Sequence, residues 1–119
     1  MKTSKADFEL FKKECRKWID RLNLNNWEFV FKKEKIDADA NTTSNYKAQI
    51  VVIKIDSEIE TFNDLPHNKF IKYLAQHEVL HVLLENLYHL ARDRGWCEDD
   101  YQKEEHAIIH RLQKALGER

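Results

Sequence analysis

His77, Glu78 and His81, in the run LAQHEVLHVLL over residues 74–84, are the side chains whose types and spacing most suggest chemistry. On an α-helix, residues four apart return to one face, about 6 Å further along the axis. His77 and His81 so placed can reach one Zn²⁺ at about 2.0–2.1 Å each. Glu78 lies about 100° round from His77, where it can lean over the metal without binding it and take a proton from water. The spacing is HExxH, written here HEVLH. Both histidines share a stripe with Phe70, Leu74 and Leu84. An unpaired polar group on such a stripe costs about 1–3 kcal/mol. A bound cation accounts for them better than two hydrogen-bonded core histidines beside a solvent-facing Glu78.

A catalytic zinc takes three protein ligands and keeps one position open. The longer pattern HExxHxxGxxH fails, because Leu84 and Leu87 stand at its Gly and His positions. The third ligand is therefore expected from the next helix, YQKEEHAIIHRLQKAL over residues 101–116. Glu105 fits the inward stripe formed by Ile108, Ile109, Leu112 and Leu116 and is the first choice. Glu104, one position round, is the runner-up, and can alternatively orient a histidine ligand from behind. His106 is the third candidate, with a spacing that directs it outward. The Glu pair also suits an ordinary helix N-terminus, where the dipole favours acids.

The elements that must hold these residues are legible in the hydropathy pattern. Phe8, Phe11, Cys15, Trp18, Ile19 and Leu22 recur at helical spacing over residues 4–22, with Thr3 or Ser4 as cap. WEFVF (27–31) alternates as a strand, a short strand is expected near residues 38–43, and QIVVIKI (49–55) is the strongest strand. A long helix follows, capped by Asn63 or Asp64 with Pro66 in its first turn, continuing past His81 to about Arg94 and Gly95. A last helix starts at Asp99 or Asp100 and runs to about Leu116. The order predicts an α+β fold: helices packed on a small, mostly antiparallel sheet of about three strands.

The 119 residues make one domain, spanning 1–119, with room for one modest core. Lys plus Arg number 20 against 21 Asp plus Glu, and this balance argues against a nucleic-acid or membrane-surface binder. The opening MKTSKADFEL has no apolar h-region, and no run approaches the roughly 18 apolar residues of a membrane span. Cys15 and Cys97 make no disulfide framework and read as small apolar fillers. A cytoplasmic location is the expectation.

HEVLHVLLENL followed by EEHAIIHRLQKAL resembles the small HExxH metallopeptidases of phage and prokaryotic genomes, close in size to the minigluzincins. The strand WEFVF after a Trp-containing helix and the strand ahead of the motif helix fit the same layout, so the resemblance covers most of the chain. It implies a minimal zincin fold and a zinc-dependent peptidase acting on a peptide or protein, with no nucleic-acid or membrane partner. By position it implies His77, His81 and Glu105 as zinc ligands and Glu78 as general base. The Asn-Glu dipeptide of thermolysin-like enzymes is absent, which leaves the choice between Glu105 and Glu104 open. Within such a mechanism QIVVIKI is a candidate edge for holding an extended substrate. Tyr88, His89, Tyr101 and His110 are candidate donors to an oxyanion. The alternative is a zinc-containing regulatory or binding module with little or no turnover.

Overall fold

A computed structural model describes residues 2–59, 65–85, 87–88 and 98–116. Helix α1 (Lys5–Arg21) opens the chain, followed by strands β1 (Glu28–Glu34), β2 (Ala40–Asn45) and β3 (Ile50–Asp56), then helices α2 (His67–Leu83) and α3 (Glu98–Leu116). Ser4 caps α1 in a reciprocal box: its hydroxyl accepts from the Asp7 amide at 3.0 Å, and its own amide donates to Asp7 Oδ2 at 3.0 Å. Thr3, the other capping candidate, ties the chain to the sheet instead, its hydroxyl donating to the Asp56 carbonyl at 2.6 Å.

The sheet has the order β1-β3-β2 and is mixed, where the sequence suggested mostly antiparallel pairing: β1 runs parallel to β3, and β2 antiparallel to it. The reason lies in the composition of the strands. β3 (IVVIKID) carries the most apolar surface and takes the centre, while β2 (ANTTSN) is polar and takes an edge. A hairpin joins β2 to β3, with Gln49 at φ 56° and the Ala48 amide held by Asn45 Oδ1 at 3.0 Å. β3 therefore enters between the two earlier strands, antiparallel to β2 and parallel to β1.

Val51, Ile53 and Ile55 point from one face of β3 and are fully buried. Phe11, Cys15, Trp18 and Ile19 of α1 join them in one core with Phe70, Ile71, Leu74 and Val79 of α2. Cys15 is a free thiol with no exposure, as a small filler should be, its Sγ 3.9 Å from the Ala75 carbonyl. Cys97 lies outside the described residues. α2 is buried on several sides, packed against α1, β2 and α3.

The start of α2 differs from the sequence reading. Pro66 occupies the N-cap with no side-chain hydrogen bond, and Asn63 and Asp64 lie outside the described residues. α2 ends at Leu83, with Leu84 as C-cap, and residues 85, 87 and 88 are again helical; the end expected at Arg94 and Gly95 lies outside the described residues. Among the described residues no helix is long and apolar enough to cross a membrane.

Candidate metal centre

The two faces of α2 around the HEVLH run look in different directions. His77 and His81 reach toward α3: His77 Nδ1 lies 3.1 Å from Gln113 Oε1, and His81 Nδ1 lies 2.6 Å from Glu105 Oε1. Glu78, about 100° round the helix, reaches toward the sheet, where Thr42 Oγ1 donates to its Oε1 at 2.7 Å. A cleft of about 590 Å³ opens between these walls. Its floor is His77, Glu78 and His81; residues 40–44 of β2 line one side, and Gln102, Glu105 and His106 of α3 the other.

One nitrogen from each of His77, His81 and His106 comes within 4.8 Å of the others, close enough to share a metal ion. His106 is exposed, yet its ring centroid lies 4.9 Å from that of His81 and 5.8 Å from that of His77. The outward direction expected for it agrees with its exposure, and the ring still reaches the other two histidines. The inward stripe of α3 is rotated from the one drawn from apolar residues alone. Among the described residues Ile109 and Gln113 are its fully buried members, whereas Leu116 is 41% exposed. His106, Ile109 and Gln113 stand at i, i+3 and i+7 on one face. The signal that would have found His106 was the polar residue Gln113 in register with it.

The hydrogen bonds orient each imidazole through its Nδ1. Gln113 Nε2 donates to the Tyr73 carbonyl at 3.1 Å, so the amide presents its oxygen to His77. Glu105 presents a carboxylate oxygen to His81, and the Gln102 carbonyl lies 2.9 Å from His106 Nδ1. Each Nδ1 faces an oxygen acceptor and carries the proton. A neutral ring with its proton on Nδ1 leaves Nε2 as the lone-pair nitrogen, the arrangement that metal-ligating histidines adopt. Glu105 sits behind His81 in this geometry. The side chain of Glu104 lies outside the described residues.

Burial pulls the His77 pKa down to about 4, against the Gln113 hydrogen bond and with the help of the nearby rings of His81, His110 and His106. For His81, burial acts in the same direction but is outweighed by the Glu105 hydrogen bond and the charges of Glu78, Glu105 and Glu85, and its pKa is raised. Glu78 is 5% exposed, and burial pushes its carboxyl above the usual range despite His81 and Thr42.

Two other expectations meet the structure here. β3 is the central strand, so QIVVIKI has no free edge to offer; the edge strand beside the cleft is β2. Of the oxyanion candidates, Tyr88 lines the cleft and His110 does not, though its ring is 5.5 Å from His77. His89 and the side chain of Tyr101 lie outside the described residues. No family model matches the chain, and neither a curated protein nor a solved structure matches it.

Proposed function

We propose that this cleft is the active site of a zinc-dependent metallopeptidase, with His77, His81 and His106 as the metal ligands and Glu78 as general base. The observation that carries the reading is the clustering of the three imidazoles, each with Nδ1 against an oxygen acceptor. The three acceptors are separate, and one nitrogen from each ring comes within 4.8 Å of the others. Three histidines plus an open position suit Zn²⁺ in a catalytic rather than a structural site. Glu105 then serves as the carboxylate that orients His81 and strengthens it as a ligand.

Bound zinc would supply Lewis acidity, lowering the pKa of water toward about 7 and polarising the scissile carbonyl. The chain's own groups do the rest. Glu78 accepts the proton of the attacking water as the new C–O bond forms, and delivers it to the amine nitrogen as the C–N bond breaks. An extended peptide can add to the outer edge of β2, which brings its backbone across the cleft above Glu78. Tyr88 is the candidate donor to the developing oxyanion.

A second reading, a zinc-holding regulatory module without turnover, draws on the burial of Glu78, which at 5% exposure is poorly open to water. Metal analysis of the purified chain and of Glu78→Gln separates the two. The enzyme reading requires that Glu78→Gln keep its zinc and lose peptidase activity by orders of magnitude. Zinc lost together with activity would make Glu78 a ligand and overturn the assignment.

A further inference from the structure

We propose that Thr42 is the positioning residue for Glu78, a role that rests on the metallopeptidase reading of the cleft. Thr42 and Glu78 are 36 residues apart, on different elements, and their side chains meet at 2.7 Å. The same hydroxyl lies 3.3 Å from the Glu78 carbonyl. A glutamate has three side-chain torsions, and Glu78 must choose one direction out of a helix face that is otherwise packed. Thr42 makes that choice. Its β-branch restricts χ1 within a strand, so the hydroxyl has little freedom. The strand is in turn anchored by pairing of Thr42 with Ile53, which is fully buried at the centre of the sheet.

The hydroxyl occupies one oxygen of the carboxylate and leaves the remaining lone pairs of the group for a proton in transit. It also connects the base to the surface on which a peptide would lie. Thr42 lines the cleft from the edge strand, so a backbone added to β2 is set in register with Glu78 by a residue of that strand. A hydroxyl-free side chain would keep the strand and the fold but let the carboxylate swing from its place.

The test uses the full zinc-loaded chain as wild type, Thr42→Val and Thr42→Ser, with Thr42→Ala as a second hydroxyl-free variant should valine disturb the packing. Two probes are read: turnover of a mixture of internally quenched peptides, and calorimetric binding of acetohydroxamate, whose hydroxyl needs a carboxylate acceptor beside the metal. Thr42→Val should lower kcat about 10- to 100-fold with KM within about 2-fold, the loss expected for a hydrogen bond to a charged group. Acetohydroxamate affinity should fall about 10-fold, zinc content should stay stoichiometric, and Thr42→Ser should restore both readouts. Hydroxyl-free variants with wild-type kcat and hydroxamate affinity, or Thr42→Ser as impaired as Thr42→Val, overturn the proposal. Should the wild type bind zinc and acetohydroxamate but cleave no peptide, the peptidase reading falls alone, and the affinity ratio decides Thr42. Zinc binding with neither hydroxamate binding nor turnover, or no zinc binding at all, overturns both.

Discussion

Glu105 Oε1 lies 2.6 Å from Nδ1 of His81, which leaves Nε2 as the nitrogen free for a metal. A carboxylate there strengthens the imidazole as a ligand and holds its orientation without touching the ion. Glu105→Gln should therefore weaken zinc binding by about 10- to 100-fold. His106→Ala should weaken it further, since it deletes a ligand. Competition with a chromophoric chelator measures both. The opposite order, with His106→Ala harmless and Glu105→Gln devoid of zinc, would make Glu105 the third ligand.

Gln113 is fully buried and bridges two positions of α2, accepting from His77 and donating to the Tyr73 carbonyl. Gln113→Leu fills the same space but leaves His77 Nδ1 without an acceptor. The zinc-free chain should lose about 1–3 kcal/mol in urea unfolding, and zinc affinity should drop with it. Unchanged zinc affinity would show that His77 needs no such support.

The zinc-free chain should lose stability as the pH falls from about 6.5 to about 4, the interval in which unfolded His77 is protonated and native His77 is not. The His77 contribution to the slope is at most about 1.4 kcal/mol per pH unit. His81 behaves oppositely. Its contribution is complete below its unfolded value of 6.5 and is lost as the pH rises through its raised native value, so it adds little slope in the acid window. Glu78, raised from 4.5, favours the native state as the acid end is approached and partly offsets His77. Urea midpoints in the presence of chelator, at several pH values across this window, should slope less steeply for His77→Ala than for wild type; parallel slopes would refute the assignment.

Zinc should stabilise the fold by mass action. At free zinc of about 100 times Kd the gain is about 2.7 kcal/mol, which for a domain of this size raises Tm by about 10 °C. A chelator should reverse the shift, and His77→Ala should abolish it. A shift that survives in His77→Ala would locate the metal elsewhere.

Much of this protein follows from local pattern. The helical spacing of Phe11, Cys15, Trp18 and Ile19 and the β-branched run of β3 determine α1 and the central strand, because each buries one face by a period its own residues carry. HEVLH likewise determines that His77 and His81 share a face and that Glu78 stands off it, since four residues of helix impose that geometry wherever the helix lies. The short strand near residue 40 was legible as an element but not as an edge, and β3 was legible as a strand but not as the centre. Strand order depends on which strand gains most from being flanked on both sides, a comparison between segments that no single segment contains.

The identity of the residues around the motif was decided by tertiary contact alone. Apolar spacing in α3 favoured Glu105 on the inward face and turned His106 outward. Glu105 is indeed mostly buried and His106 exposed, and the packed helix is held in that rotation by Ile109 and by Gln113, whose amide reaches His77 and Tyr73. That rotation carries His106 to the other two histidines and Glu105 to the back of His81. Thr42, in a polar strand with no motif, reaches Glu78 only because β2 is drawn to the edge beside α2. Spacing along one helix is a local property and can be read from the chain. The partners of a side chain across two elements depend on how both are rotated, and only the balance of buried surface and satisfied hydrogen bonds in the whole fold sets that rotation.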